Sequence, residues 1–254
     1  MTTSVDARHA ARLTGAEKER YVRALFDRIA TPYDRLNRRI SLGRDERWRS
    51  MLVEESGAAA GYSVVDLGTG TGELAVQFAH ATGPEGRVTG VDLSANMLAV
   101  AEEKVKRAGL SHVEFRQGNA CATGLPASSA DIVSMGWCLR NCGDLHAALH
   151  EVLRILKPGG VFVCLDMSRP SFAPVRGLFF LHRHLVLPLQ ARFAGADREA
   201  YRYLACSTDH FPDRRGLEHV LRTAGFNGVG SRALMLGAVA LHRAEKPEHP
   251  YVTD

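Results

Sequence analysis

The 254-residue sequence contains no apolar run long enough to span a bilayer. Its N-terminus carries no apolar signal-peptide core. Both absences point to the cytoplasm. The five cysteines, at positions 121, 138, 142, 164 and 206, are odd in number and form no Cys-x-x-Cys pair. That pattern excludes a disulfide frame and a zinc site, and it reads as free thiols. No internal repeat is found. No concentrated basic stripe is found either, which argues against a nucleic-acid ligand. The net charge is +4. The first fifty residues hold twelve Lys/Arg against seven Asp/Glu, a local excess of +5. These arginines are dispersed on helical stretches and read as a solvated face, with an anionic lipid surface as the functional alternative.

What is present fits one large α/β domain, since 45% of residues are hydrophobic and 24% charged. The organising stretch runs from Val64 to Leu74, Val-Val-Asp-Leu-Gly-Thr-Gly-Thr-Gly-Glu-Leu. It reads as a buried strand, a turn with three alternate glycines, and a helix start. The spacing is not that of a dinucleotide fingerprint, and no Lys-Ser/Thr follows to make a phosphate loop. An ordinary tight turn remains the competing reading. A second strand, 88–93, ends in Asp92, 20 residues beyond Gly72. At about that offset a carboxylate meets a ribose in doubly wound folds. A carboxylate accepts two hydrogen bonds from a cis-diol, so the pair of features favours a nucleoside ligand. As an alternative, Asp92 serves as a helix N-terminal acid ahead of Ser94.

In chain order, residues 1–15 read as a flexible tail and 16–254 as a single domain. Within that domain, 16–60 is a helical cap interrupted at Thr31-Pro32. Strands are expected at 63–67, 88–93, 113–117, 131–136 and 161–166, with helices at about 73–82, 94–108 and 144–156. This alternation predicts a parallel, doubly wound sheet covered by helices on both faces. A helix at 217–224 precedes two strands, 228–234 and 237–244, read as an antiparallel pair turning at Leu236-Gly237. Residues 171–213 interrupt the alternation with dense apolar residues, among them Phe172, Phe179, Phe180, Leu185 and Leu187, interleaved with arginine and histidine and bracketed by Pro174 and Pro188. The segment reads as a lid over an apolar substrate or a membrane-touching face. A helix pair that forms a dimer or fills the core is the bland alternative.

Taken together, the motifs resemble the class I S-adenosyl-L-methionine-dependent methyltransferases, and within them the ubiquinone/menaquinone biosynthesis C-methyltransferase (UbiE/MenG) family. The resemblance runs from about Phe26 to His242. It is carried by Phe26-Asp27, Tyr33-Asp34, Asn37, Ser41-Leu42-Gly43, Trp48 and the glycine loop. Further along it is carried by Ser94 with Met97-Leu98, Asn119-Ala120, Leu139-Arg140-Asn141, Tyr201-Arg202-Tyr203-Leu204 and Ala240-Leu241-His242. It implies a seven-stranded Rossmann-like sheet with the last strand antiparallel. It also implies a cofactor-binding set of Asp66, Gly68, Thr69, Gly70, Thr71, Gly72, Asp92, Leu93, Met97, Asn119, Ala120 and Gly136. Within that set Thr71 and the loop glycines face the amino-acid part of the cofactor, Asp92 the ribose, and Asn119-Ala120 the adenine. The sequence departs from the family pattern at Glu73, at Cys121, across 121–130, and at Gly136 with Trp137-Cys138. These departures concentrate on the wall between cofactor and substrate.

Methyl transfer is an in-line displacement on an activated methyl, so the protein mainly supplies alignment. Ring-carbon attack needs an electron-rich ring, favoured by a nearby cation. Arg140 and Asn141 are assigned that role by the resemblance, with Tyr33 capping the pocket. A local turn with Arg140 in an ion pair is the alternative. His182, His184 and His210 are candidate bases, and nothing selects among them. The expected acceptor is a prenylated quinol such as demethylmenaquinol. Two other readings stand beside it. One is methylation of a specialised aromatic or isoprenoid metabolite. The other is a non-catalytic binding or assembly protein that keeps the fold. A nucleic-acid acceptor is disfavoured by the lack of an Asn-Pro-Pro-Tyr/Phe motif.

Overall fold

The computed structural model describes residues 6–41, 43–186 and 197–248. The sequence expectations for residues 1–5, Leu42, the stretch 187–196 with Leu187 and Pro188, and 249–254 lie outside the described residues. Seven strands form one sheet: β1 Ser63–Leu67, β2 Arg87–Asp92, β3 Val113–Gln117, β4 Ala130–Gly136, β5 Leu156–Met167, β6 Asn227–Leu234 and β7 Val239–Glu245. Their order is β3-β2-β1-β4-β5-β7-β6. Strands β1 to β5 pair in parallel, and β7 pairs antiparallel to both β5 and β6. The register runs Val64 against Val88 on one side of β1 and against Ile132 on the other. Val64, Val65, Asp66 and Leu67 are all buried, as a central strand covered on both faces requires. The strand order reverses between β1 and β4. Ligands enter open α/β sheets at such a switch point, outside the carboxyl ends of the strands.

The helices follow local chemistry. In α6 (Ala95–Ala108), Ser94 caps the start by accepting from the Met97 amide at 3.1 Å, and Gly109 closes the end at φ 68°. Asp144 caps α7 (Leu145–Ile155) through the His146 and Ala147 amides. Helix α5 (Glu73–Thr82) starts directly after the loop. A Cβ on Gly72 would lie 2.9 Å from the Ala101 Cβ of α6, so this glycine lets α6 close over the turn. Lys157–Gly160 form the entrance of β5, whose pairing with β4 shifts register between Ala130 and Ile132.

The expected cap consists of α2 (Gly15–Ile29), α3 (Tyr33–Ile40) and α4 (Arg44–Ser56). Residues 171–213 form α8 (Ala173–Leu181), a π-helical turn at His182–Val186, and α9 (Arg198–His210). Cap and insertion pack on each other. Val22, Leu25 and Ile29 share a buried cluster with Ala200, Tyr203 and Cys206. The first fifteen residues are not a loose tail throughout. A short helix, α1 (Ala7–Ala10), buries Ala7, Ala10 and Ala11 in that same cluster. Three small side chains so close to the chain start give no helical apolar period, so nothing local announces them. The helix Arg214–Thr223, α10, precedes β6.

Candidate active site

Two cavities meet above the switch point. The first is lined by Gly68 and Gly70 of the loop, by Asp92, Leu93 and Met97 at the end of β2 and the start of α6, and by Asn119 and Ala120 after β3. Gly136 to Cys138 and Asn141 to Gly143 after β4 complete it. The Gly68 and Thr69 amides both donate to the Val91 carbonyl, at 2.7 and 3.1 Å, which folds the loop back onto β2. Asp92 is held from two sides. Its Oδ2 accepts from the Gly70 amide and its Oδ1 from the Ser94 amide, each at 2.9 Å. Burial pushes its carboxyl above the usual range, and those two amides oppose the push. Each oxygen keeps a second lone pair for a ligand hydroxyl.

The second cavity is mostly apolar. Leu25, Ile29, Leu36, Ile40, Trp48, Met167, Phe179, Leu204, Met235 and Val239 line it, with Asn37, Ser41, Asp45, Arg140, His182, Arg183, Tyr201 and Tyr203 among its polar groups. Phe26, Tyr33 and Trp137 line both cavities and mark where they join. Trp137 adopts φ 60°, a left-handed conformation rare for a bulky residue, and its ring packs on Trp48 at a centroid distance of 6.0 Å. Its carbonyl accepts from Arg140 Nη1 at 2.8 Å and from Asn141 Nδ2 at 3.0 Å. Strain of this kind persists where surrounding contacts over-determine it, and such sites cluster at functional positions.

Arg140 is buried and paired. Its Nη1 donates to Asp166 Oδ1 at 2.5 Å, and its backbone amide donates to Asp166 Oδ2 at 3.2 Å. This is the ion pair that stands in the sequence reading as the alternative to a ring-facing cation, with Asp166 offsetting the guanidinium charge. The Arg140 Nε is buried without a hydrogen-bond partner among the described residues. Tyr33 and Tyr203 both face the guanidinium electrostatically. Burial nevertheless raises both phenols, and the Tyr203 hydroxyl has no partner among the described residues. On the cap side, Asp45 accepts from Ser41 Oγ at 2.7 Å and from Arg49 Nη1 and Nη2 at 2.9 Å, all three residues being buried.

Of the residues expected at the cofactor, the structure brings Gly68, Gly70, Asp92, Leu93, Met97, Asn119, Ala120 and Gly136 to the first cavity. Asp66, Thr69, Thr71 and Gly72 are not among its lining residues. Thr71 instead donates to Asp34 at 2.5 Å; Lys104 then bridges Asp34 to Glu73, which ties the cap to the loop. Asp66 lies in the sheet, accepting from Ser134 Oγ at 2.6 Å. Asn119 lines the cavity, and its Oδ1 accepts from the Cys121 amide at 2.9 Å in the turn after β3. Tyr33 and Asn141 reach the first cavity, and Tyr33 and Arg140 the second. Among the three histidines only His182 lines the second cavity. His184 is bonded to Asp209, and His210 to Arg12 and the Cys206 carbonyl. Phe179 lines the cavity, whereas Phe180 is 53% exposed and stacks on His184. Of these two adjacent rings, Phe179 alone faces the second cavity. The Ser41–Asp45–Arg49 group, Trp48 and Asp166 were not singled out as site residues, because buried charges on a cap helix read as surface.

A doubly wound sheet of this order, with a glycine turn and an acid-ended second strand at its switch point, is the architecture of class I methyltransferases. A methyltransferase from Aquifex aeolicus, described as S-adenosylmethionine-dependent, superposes with a TM-score of 0.57. Its identity is 20%, over 78% of this chain and 89% of that one, and it supports the fold alone. Residues 14–246 match the model of the ubiE/COQ5 methyltransferase family. The chain is 36% identical to the demethylmenaquinone methyltransferase of Lactococcus lactis subsp. lactis, over 94% of each chain. It is 37% identical to the ubiquinone/menaquinone biosynthesis C-methyltransferase UbiE of Hahella chejuensis, over 91% of this chain and 93% of that one. The chain belongs to the ubiE/COQ5 methyltransferase family and is a methyltransferase.

Proposed function

We propose that this chain binds S-adenosyl-L-methionine in the first cavity and methylates a ring carbon of a prenylated quinol of the demethylmenaquinol type in the second. The observation that carries this reading is the join of an Asp92-bearing cavity at the glycine loop with a second, apolar cavity across Tyr33, Phe26 and Trp137. The residues present fit the cofactor. Asp92 offers acceptors to a ribose diol, Asn119 and Ala120 line the same cavity, and Asn141 Oδ1 is a buried acceptor lacking a partner among the described residues. When bound, the cofactor supplies an activated methyl. The protein contributes alignment and exclusion of water. Apolar walls suit a hydrocarbon tail, and Arg140 Nε and the Tyr203 hydroxyl are left to meet a ring oxygen.

The same reading explains the outer face of the insertion. Phe172, Leu178, Phe180, Leu181 and Leu185 are exposed beside the second cavity, and Leu236 at the β6–β7 turn is 80% exposed. Among the described residues no helix is long and apolar enough to cross a membrane. The exposed face rests on a bilayer from which the prenyl tail enters, with the exposed Arg176 among head groups. A second copy of the chain covering this face is the competing occupant. A specialised phenolic acceptor is the second reading of the substrate; it is favoured by Trp137-Cys138, which stand where the family pattern differs, Trp137 lining both cavities and Cys138 the first. Turnover of methyl-labelled cofactor against prenylated quinols and natural-product phenols decides between them. Transfer to the prenylated quinols alone supports the proposal, and transfer to phenols alone rejects it.

A further inference from the structure

A third cavity lies where α1, α9 and the turn His182–Val186 meet. Arg8 of α1, Arg183 and His184 of the turn, and Arg202 of α9 line it, with Asp6 as the one lining carboxylate among the described residues. It shares Arg183 with the second cavity and no residue with the first. Arg183 is the fixed member. It is 2% exposed, its Nη1 donates to the Ala205 carbonyl at 3.2 Å, and its Nη2 donates to Asp209 Oδ1 at 2.7 Å. Its Nε is buried with no partner among the described residues, a cost that an acceptor brought by a ligand removes. His184 Nε2 lies 2.9 Å from the other Asp209 oxygen. Arg8 and Arg202 are exposed and make no ion pair or hydrogen bond among the described residues. Three guanidiniums set against Asp6 and the shared Asp209 leave the cavity cationic. The exposed apolar face of the insertion touches it directly. The Phe180 ring packs on the His184 ring at a centroid distance of 4.3 Å, and Leu181 and Leu185, both exposed, flank the two basic residues of the turn.

We infer that this third cavity binds the phosphate of an anionic phospholipid, with an acyl chain lying over Phe180, Leu181 and Leu185. Guanidinium forks match phosphate oxygens, and here they come from three separate elements onto one cavity. A free phosphate uses the arginines and leaves the apolar face in water. A phospholipid uses both, and the contact between Phe180 and His184 joins the two parts. The site gives the bilayer contact proposed above a defined anchor. It rests on that contact alone, and the identity of the methyl acceptor does not enter.

The test titrates the full chain by calorimetry with dihexanoyl phosphatidic acid, kept below its micelle concentration, and separately with inorganic phosphate. The lipid is expected to bind about tenfold or more tighter than phosphate, and Arg8→Gln and Arg202→Gln are each expected to weaken it about tenfold. Both side chains are exposed and line neither active-site cavity, so both variants are expected to keep wild-type affinity for S-adenosyl-L-homocysteine. Arg116→Gln removes an exposed guanidinium from the edge strand β3 and is expected to leave lipid affinity unchanged. Equal affinity for phosphate and lipid overturns the lipid as the occupant. A loss in Arg116→Gln as large as that in Arg202→Gln reduces the effect to net charge and overturns the site, as does absence of binding by either ligand. A chain that binds the lipid as expected yet methylates no quinol counts against the function proposed above and leaves this site standing.

Discussion

Arg140 and Asp166 form a buried ion pair, Nη1 to Oδ1 at 2.5 Å, which ties the turn after β4 to the end of β5. Removing one partner leaves the other charge uncompensated in the interior. Asp166→Ala is expected to destabilise the fold by about 3–5 kcal/mol in urea unfolding. The double variant Arg140→Leu/Asp166→Leu should recover most of that stability while losing turnover. A stable Asp166→Ala protein would show that the guanidinium reaches water or another acceptor.

Asp92 lines the first cavity, and the Gly70 and Ser94 amides leave a lone pair free on each of its carboxylate oxygens. Asp92→Ala is expected to weaken S-adenosyl-L-homocysteine binding by about 1.5–3 kcal/mol, the range for hydrogen bonds to a charged group. Calorimetry on the folded variant measures it. Unchanged affinity would place the ribose elsewhere.

Asp66 gives the fold a pH signature. Burial raises its carboxyl from 3.8 to about 6. The unfolded chain ionises first, so between about pH 4 and 6 the native state holds more protons and stability falls as pH rises. The penalty, about 3 kcal/mol, is complete above that window. Asp66→Asn keeps an acceptor for Ser134 and is expected to flatten this slope, with its largest gain over wild type near neutral pH. Parallel unfolding curves for both proteins, offset equally at every pH, would contradict the assignment.

Phe179 and Phe180 separate two roles that adjacent positions in a sequence cannot. Phe179→Ser is expected to raise KM for a prenylated acceptor far more than for a tail-free ring analogue, because its ring lines the second cavity. Phe180→Ser should leave the tail-free reaction unchanged and weaken sedimentation with anionic vesicles. Vesicle binding that survives Phe180→Ser, joined with loss of a dimer by size-exclusion chromatography, would assign the outer face to a second copy.

The sheet was legible because its signals are local: β-branched strands, Ser94 as a cap, Gly109 as a stop, and glycines spaced to bend after β1. Asp92 was legible from its offset alone. The fate of Arg140 was not, since its partner lies 26 positions away on β5 and only strand pairing joins them. Thr71 turned from the cavity toward Asp34 for a similar reason, a cap residue 37 positions earlier. Helix α3 has no buried residue, so its apolar pattern gave no face to read. Asp45 and Arg49 neutralise each other in the interior, with the Ser41 hydroxyl donating to the same carboxylate, whereas composition reports only surface charge.

The central claim is that the two joined cavities bring a cofactor methyl to a ring carbon of a prenylated quinol. Carbon-13 NMR of the product formed from S-adenosyl-L-methionine labelled in its methyl group and a demethylmenaquinol-type acceptor tests it most directly. The account predicts one labelled methyl with the shift of a ring-bound carbon and a conserved pair of ring hydroxyls. A label found as an O-methyl ether, or absent from the quinol after full turnover conditions, would contradict it.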